Sequence, residues 1–196
     1  MGNREETTKR LVEAALAILS EQGFAAIGVN AVARRAGTDK QLIYRYFNGL
    51  DGLLAAAGEA VAAGLSQALE RALQPPPADY GDLAARVTRA LLDHARGDAV
   101  FRALRLMEAA APSEATAAFR RARGAAMMQW VAEARKGLTP PPGLDAPALN
   151  AVLVAAAEGA ALLGTAGIGD SPEDRSRIDA ALVRIARAAF AEGGAG

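Results

Sequence analysis

Apolar residues recur along most of this chain at the spacing of one helical face. Leu11, Ala14, Ala15, Ile18 and Leu19 do so near the start. Leu149, Val152, Leu153, Ala156, Ala160 and Leu163 repeat the spacing, as do Ile178, Leu182, Ile185, Ala189 and Phe190. No segment alternates apolar and polar residues like a half-buried strand, and no internal repeat is evident. Breaks fall at Gly23, Gly28, Gln74-Pro75-Pro76-Pro77, Gly97, Pro112, Leu138–Gly143 and Gly169–Pro172. The pattern predicts an all-α fold of about nine helices, roughly 4–22, 29–36, 39–46, 50–73, 80–96, 98–110, 113–136, 146–167 and 172–191.

Composition agrees with helix. Hydrophobic residues make up 52% of the 196, much of it Ala, and aromatics only 5%. The formal net charge is zero, so any nucleic-acid role must rest on a local patch. There is no Cys, which excludes disulfides, thiolate metal sites and thiol nucleophiles. The charged opening MGNREETTKR has no apolar run behind it and lacks a myristoylation signal, so neither a signal peptide nor a lipid anchor is expected. The most membrane-like stretch is 151–169, rich in Ala and Gly and interrupted by Glu158, and it is expected to be a buried, closely packed helix. The expectation is a soluble cytoplasmic protein without membrane contact.

The stretch RRAGTDKQLIYRYF, residues 34–47, carries the sharpest signal. Val29–Ala36 makes a short helix that Gly37 can end in a left-handed conformation. Thr38 or Asp39 can cap the next one. Two short helices joined by a tight Gly-containing turn form a helix-turn-helix. Val32, Ala33 and Ala36 are expected to pack on Ile43 and Tyr46. At about 100° per residue, Leu42, Ile43 and Tyr46 share one side of the second helix, and Lys40, Gln41, Tyr44 and Arg45 the other. That outer face can bond phosphates, guanine and adenine edges, and pack on a thymine methyl. An ordinary helical hairpin with a wet polar side would show the same spacing.

Residues 8–54 resemble the DNA-binding domain of the TetR family of bacterial transcriptional repressors. The resemblance runs through TTKRLVEAALAILSEQGF, VNAVARRAGTDKQLIYRYF and NGLDGLL, with Tyr44, Tyr46 and Phe47 its most specific part. It implies DNA contacts by Lys40, Gln41 and Tyr44, with Asn30 as a further base contact; the helical face adds Arg45. Tyr46 is either buried, as the wheel has it, or turned to a phosphate, as in some members. The family often has Thr or Ser where Val29 and Leu42 stand, and Lys where Leu50 stands. Those departures imply fewer phosphate contacts and a shallow salt dependence, unless Arg4, Lys9 or Arg10 compensates.

The resemblance also implies the layout: residues 1–49 as a three-helix DNA-binding domain and 50–196 as a larger helical effector-binding and dimerisation domain. The small residues from Ala155 to Gly164 suit close helix approach. Leu149, Leu153, Ala156, Ala160, Leu163, Ile178, Leu182 and Ile185 are the candidate dimer surface, two helices per subunit forming a four-helix bundle. The alternative is that they close the subunit's own core. Phe101, Leu104, Met107, Phe119, Met127 and Trp130 are the candidate effector pocket, with Met128 nearby; plain core would give the same composition. Arg105, Glu108, Arg123 and Glu158 are possible polar anchors, though surface salt-bridging explains each of them.

His94 is the only histidine, beside Asp93 and near Asp98. One His with no Cys makes a poor metal cluster, and a His at a helix end can simply meet the dipole. No metal, cofactor or catalytic site is expected, because no nucleophile–base pair is evident. The sequence thus points to a ligand-responsive regulator, most simply a repressor that binds a palindromic operator as a homodimer and is released by a small, largely apolar effector. The alternative is a ligand- or protein-binding helical module with weak or lost DNA binding. Operator, effector and the sign of regulation are not written in the chain.

Overall fold

The computed structural model describes residues 2–110, 114–163 and 171–191, and every described element is helical. In order these are α1 (Gly2–Gln22), a 3-10 turn (Phe24–Ala26), α2 (Val29–Ala36), α3 (Gln41–Phe47), α4 (Leu50–Ala72), α5 (Tyr80–Gly97), α6 (Ala99–Ala110), α7 (Glu114–Ala134), α8 (Ala146–Leu162) and α9 (Pro172–Ala189). The all-α expectation and the order of helices stand. The 3-10 turn was not foreseen. Helix α3 begins at Gln41 because Asp39 stays outside the helix and accepts the Gln41 amide at 2.8 Å. Pro112, Gly164, Gly169 and the end of the predicted 146–167 helix lie outside the described residues.

The chain forms two compact units. The first comprises Met1–Gly64 and Ala99–Trp130; the second comprises Leu65–Asp98 and Val131–Gly196. The 1–49 and 50–196 division is one of function, which compactness does not measure.

In the first unit Leu11, Ala14, Ala15 and Ile18 of α1 meet Val32 and Ala33 of α2, Ile43 of α3 and Leu53 of α4. Val29, Leu42 and Leu50 lie half-buried against this core. Their apolar character therefore has a packing reason. Helix α6 packs on α1, and its Phe101 and Leu104 are buried.

In the second unit α5 packs against α8 and α9. Tyr80, Ala84, Ala146, Leu153, Ala186 and Phe190 form its core. Tyr80 and Phe190 meet ring to ring at 4.8 Å, and the Asn150 amide donates to the Tyr80 hydroxyl at 2.9 Å. Two buried aspartates tie α5 to α9: Asp82 binds Arg187 at 2.6 Å and Arg86 at 2.8 Å, and Asp179 takes both nitrogens of Arg96. Burial opposes ionisation of Asp82, but the Ala78 amide and the two arginines outweigh it and hold its carboxyl below the usual value.

One expectation about helix burial is corrected. Helix α8 is not buried all round: Val152 is 63% exposed, while Leu153 and Ala157 face inward. Among the described residues the helix long and apolar enough to cross a membrane, by length and composition, is α4, with 44% of that window buried. Helix α8 carries the described part of the apolar stretch 151–169, and residues 164–169 lie outside the described residues.

Candidate nucleic-acid interface

Helices α2 and α3 owe their joint to one glycine. Gly37 sits at φ 62°, ψ 38°, where a side chain would be strained, and its amide reaches back to the Ala33 and Arg34 carbonyls. Asn48 and Gly49, at φ 60° and 107°, end α3 and start the turn into α4. There Gly52 lets α4 begin hard against α3: a Cβ on it would lie 1.7 Å from the Phe47 carbonyl oxygen. Arg35 fastens α2 to α1 by two hydrogen bonds to Glu21, both 2.7 Å.

This frame turns α3 outward along one face. Ile43 is fully buried and Leu42 packs beside it, whereas Lys40, Gln41, Tyr44 and Arg45 are exposed, Tyr44 by 59%. The two sides fall as the helical wheel divides them. Asn30, the second residue of α2, is also exposed. Tyr46 is half-buried against the core, and its ring lies beneath two cations. The guanidinium carbon of Arg4 stands 5.2 Å from the ring centroid and that of Arg45 5.8 Å. Arg4 was expected only as a compensating contact, beside Lys9 and Arg10. Its partner is 42 positions away (46 minus 4), so no local pattern reveals the pairing. Lys9 lies near Glu13 at 3.8 Å, both exposed.

The other candidate residues scatter. Phe101 and Leu104 are buried, Met127 and Trp130 half-buried. The side chains of Met107 and Phe119 lie outside the described residues. Met128 is 70% exposed and does not join a core. The surface reading of Arg105, Glu108 and Arg123 is wrong. Glu108 is only 4% exposed and takes both arginines on one carboxylate oxygen, Arg123 at 3.0 Å.

On the candidate dimer helices, Leu153 is buried within its own unit and Leu149 and Leu182 pack on that core. Ala156, Ala160 and Ile178 are half-buried, while Leu163 and Ile185 are exposed by 75% and 59%. His94 lies 3.9 Å from Asp98; burial, with Arg71 adding and Asp98 opposing, holds its imidazole below the ordinary value. Among the described residues no three His, Asp or Glu side chains are grouped as a metal site.

A short second helix with a basic, aromatic outer face on a three-helix frame defines a helix-turn-helix DNA-binding domain. Residues 11–57 match the family model of bacterial regulatory proteins of the tetR family, and this N-terminal domain belongs to that family. No curated protein matches the chain. Solved structures share its fold. A TetR family transcription regulator from Marinobacter aquaeolei VT8 is 18% identical with a TM-score of 0.61, covering 98% of this chain and 100% of its own. The transcriptional regulator SCO7518 from Streptomyces coelicolor A3(2) is 20% identical with a TM-score of 0.64, covering 92% and 98%. FadR from Bacillus subtilis, in complex with stearoyl-CoA, is 14% identical with a TM-score of 0.64, again covering 92% and 98%.

Proposed function

We propose that this protein is a ligand-responsive transcriptional regulator that reads a palindromic operator as a homodimer, with repression as its basal mode. The observation that carries the reading is the exposed row of Lys40, Gln41, Tyr44 and Arg45 over a fully buried Ile43. In this reading α3 enters the major groove. Lys40 and Arg45 meet phosphates or guanine edges, Gln41 an adenine, and Tyr44 a phosphate or a thymine methyl. Asn30 adds a contact from α2. Residues 1–49 supply the reader and 50–196 the effector and dimer functions.

A two-fold dimer suits this reading, because two heads double the contacts and match a symmetric site. The exposed Val152, Leu163 and Ile185 on α8 and α9 support a second copy there. Helix α6 packs on α1, so a small molecule held against α6 can shift the first helix of the reader. Operator and effector then weaken each other's binding by equal factors. The stearoyl-CoA complex of the similarly folded FadR supports a small-molecule role for the helical part, without naming the ligand. The reading needs no catalytic group and places the protein with the DNA, in the cytoplasm.

A salt-titrated gel shift on DNA from the protein's own promoter region tests this, with Lys40→Ala/Tyr44→Ala as control. Saturable, competitor-resistant binding lost in the variant is the expected result. Absence of specific binding there and in a random-DNA selection would leave a DNA-silent binding module, a reading that the apolar Val29, Leu42 and Leu50 favour.

A further inference from the structure

Three acidic side chains are buried among the described residues: Asp82, Glu108 and Asp179. Asp82 and Asp179 have both carboxylate oxygens occupied, by Arg187, Arg86 and the Ala78 amide in one case and by Arg96 with Arg89 nearby in the other. Those are closed structural pairs.

Glu108 is different. Its Oε2 takes Arg105 and Arg123, while its Oε1 is buried and takes nothing. Arg123 is left open in the same way: Nη2 bonds Glu108, but the buried Nε has no acceptor. Oε1 is geminal to the bonded Oε2, and Nε shares the Cζ of the bonded Nη2. One spare acceptor and one spare donor therefore flank the same ion pair. Buried polar atoms are nearly always paired, so the two mark a place where a partner is expected.

Beside Arg105, apolar residues share each helix face with the pair. Phe101, Leu104 and Glu108 lie on one face of α6, and Arg123, Met127 and Trp130 on one face of α7. Phe101 and Leu104 are each 1% exposed.

We infer that the Glu108–Arg123 pair is the polar anchor of an effector site, and that the effector is an alcohol or phenol on an apolar body. Its hydroxyl donates to Glu108 Oε1 and its oxygen accepts from Arg123 Nε. A hydroxyl is the smallest organic group that does both at once. Apolar walls with a few converging polar groups are the usual make-up of such sites, and Phe101 and Trp130, two turns along the same helix faces, favour a phenol. The inference rests on the reading that this protein takes a small-molecule effector.

Trp130 is the only tryptophan, so its fluorescence in the full-length protein reports on this face of α7. The probes are a series of para-alkylphenols, 4-ethylphenol among them, each matched with the alkylbenzene lacking the hydroxyl. Saturable fluorescence change with the phenols at least tenfold tighter than with their partners is expected, because a site built to bond a hydroxyl rejects the analogue without it. In Glu108→Gln, checked for folding by circular dichroism, the preference should fall at least fivefold. Arg123→Lys, which keeps the cation but removes Nε, should lower it independently if Glu108→Gln does not fold. Equal affinity for phenol and alkylbenzene would overturn the hydroxyl inference and leave the effector reading standing; the two open atoms would then hold only water. A preference unchanged in a folded variant would also overturn it. No saturable change with any probe would remove the effector site itself.

Discussion

Arg4 and Arg45 come from opposite ends of the DNA-binding domain and share one aromatic ring, with the Arg4 guanidinium 5.2 Å and the Arg45 guanidinium 5.8 Å from the centroid of Tyr46. The pedestal holds two like charges close to the reading helix. Such an arrangement suits an anion, and a DNA phosphate is the one at hand. The apolar Val29, Leu42 and Leu50 pack on the core and offer phosphates nothing polar, so on the proposed DNA-binding reading a larger share of the phosphate contacts would fall to Arg4 and Arg45. Arg4→Ala should weaken specific and non-specific DNA binding alike and lower the slope of log K against log salt by about 0.9 per half-site. Tyr46→Phe should leave the slope unchanged, since it keeps the ring that the guanidiniums cover. A slope insensitive to Arg4→Ala would remove Arg4 from the interface. A steep slope in the parent protein would refute the expectation of few phosphate contacts.

The close approach at Gly52 sets a second prediction. A Cβ 1.7 Å from the Phe47 carbonyl oxygen meets backbone, which cannot swing aside. Gly52→Ala should destabilise the fold by about 3 kcal/mol, at the upper end of the usual overpacking cost. Gly64, also in α4, has nothing within 4 Å of its would-be Cβ. Gly64→Ala should instead stabilise by up to about 1 kcal/mol through helix propensity. Urea unfolding of the two variants checks the opposite signs.

The exposed face of α3 was legible in the sequence because it is a local property. Seven residues of one helix, QLIYRYF, place Ile43 inward and Tyr44 outward by angle alone. The Gly37 turn was legible for the same reason. Pairings that cross the chain were not. Arg4 with Tyr46 and Arg96 with Asp179 join residues that no period relates, and each sequence segment taken alone shows only a charged helix face. Glu108 misled most: a Glu three residues from an Arg on a helix reads as a solvated salt bridge, and its burial to 4% exposure, with Arg123 of the next helix on the same oxygen, is not visible in a local pattern. Leu153 lay between two readings, dimer surface or the subunit's own core, that a helical stripe alone does not separate; within this chain the helix turns Leu153 inward while Val152 faces out.

Asp179 tests the second unit. Its side chain is 5% exposed, and it binds Arg96 through both oxygens with Arg89 at 3.7 Å. Removing Asp179 takes two charge-assisted hydrogen bonds from the half-buried Arg96. Asp179→Ala should cost about 3 kcal/mol of stability by urea unfolding. Asp174→Ala is the contrast: Asp174 meets Arg177 at 3.3 Å, and Arg177 is 83% exposed. That change should cost less than about 1 kcal/mol through the ion pair. Similar losses for both would mean that α5 and α9 are not held together by the buried pair.

His94 gives the pH dependence its sign. Burial, helped by Arg71 and opposed by Asp98, holds its pKa below the ordinary 6.5. The folded protein therefore binds this proton later than the unfolded chain does as pH falls. Above pH 6.5 neither state is protonated, and His94 contributes nothing to the slope of stability against pH. Below it the unfolded chain takes up the proton first, so stability drops until the folded imidazole titrates as well. His94→Gln should flatten this part of the curve between pH 6.5 and the depressed folded value, leaving the acid limb set by Asp82. Asp82 has the same direction for a different reason. Its carboxyl is held below the usual range by the Ala78 amide and two arginines against the pull of burial, so its contribution is present above that range and lost as pH falls through the folded value. Urea midpoints of the parent and His94→Gln proteins at stepped pH separate the two limbs, and parallel curves between pH 5 and 7 would show that His94 is not coupled to folding.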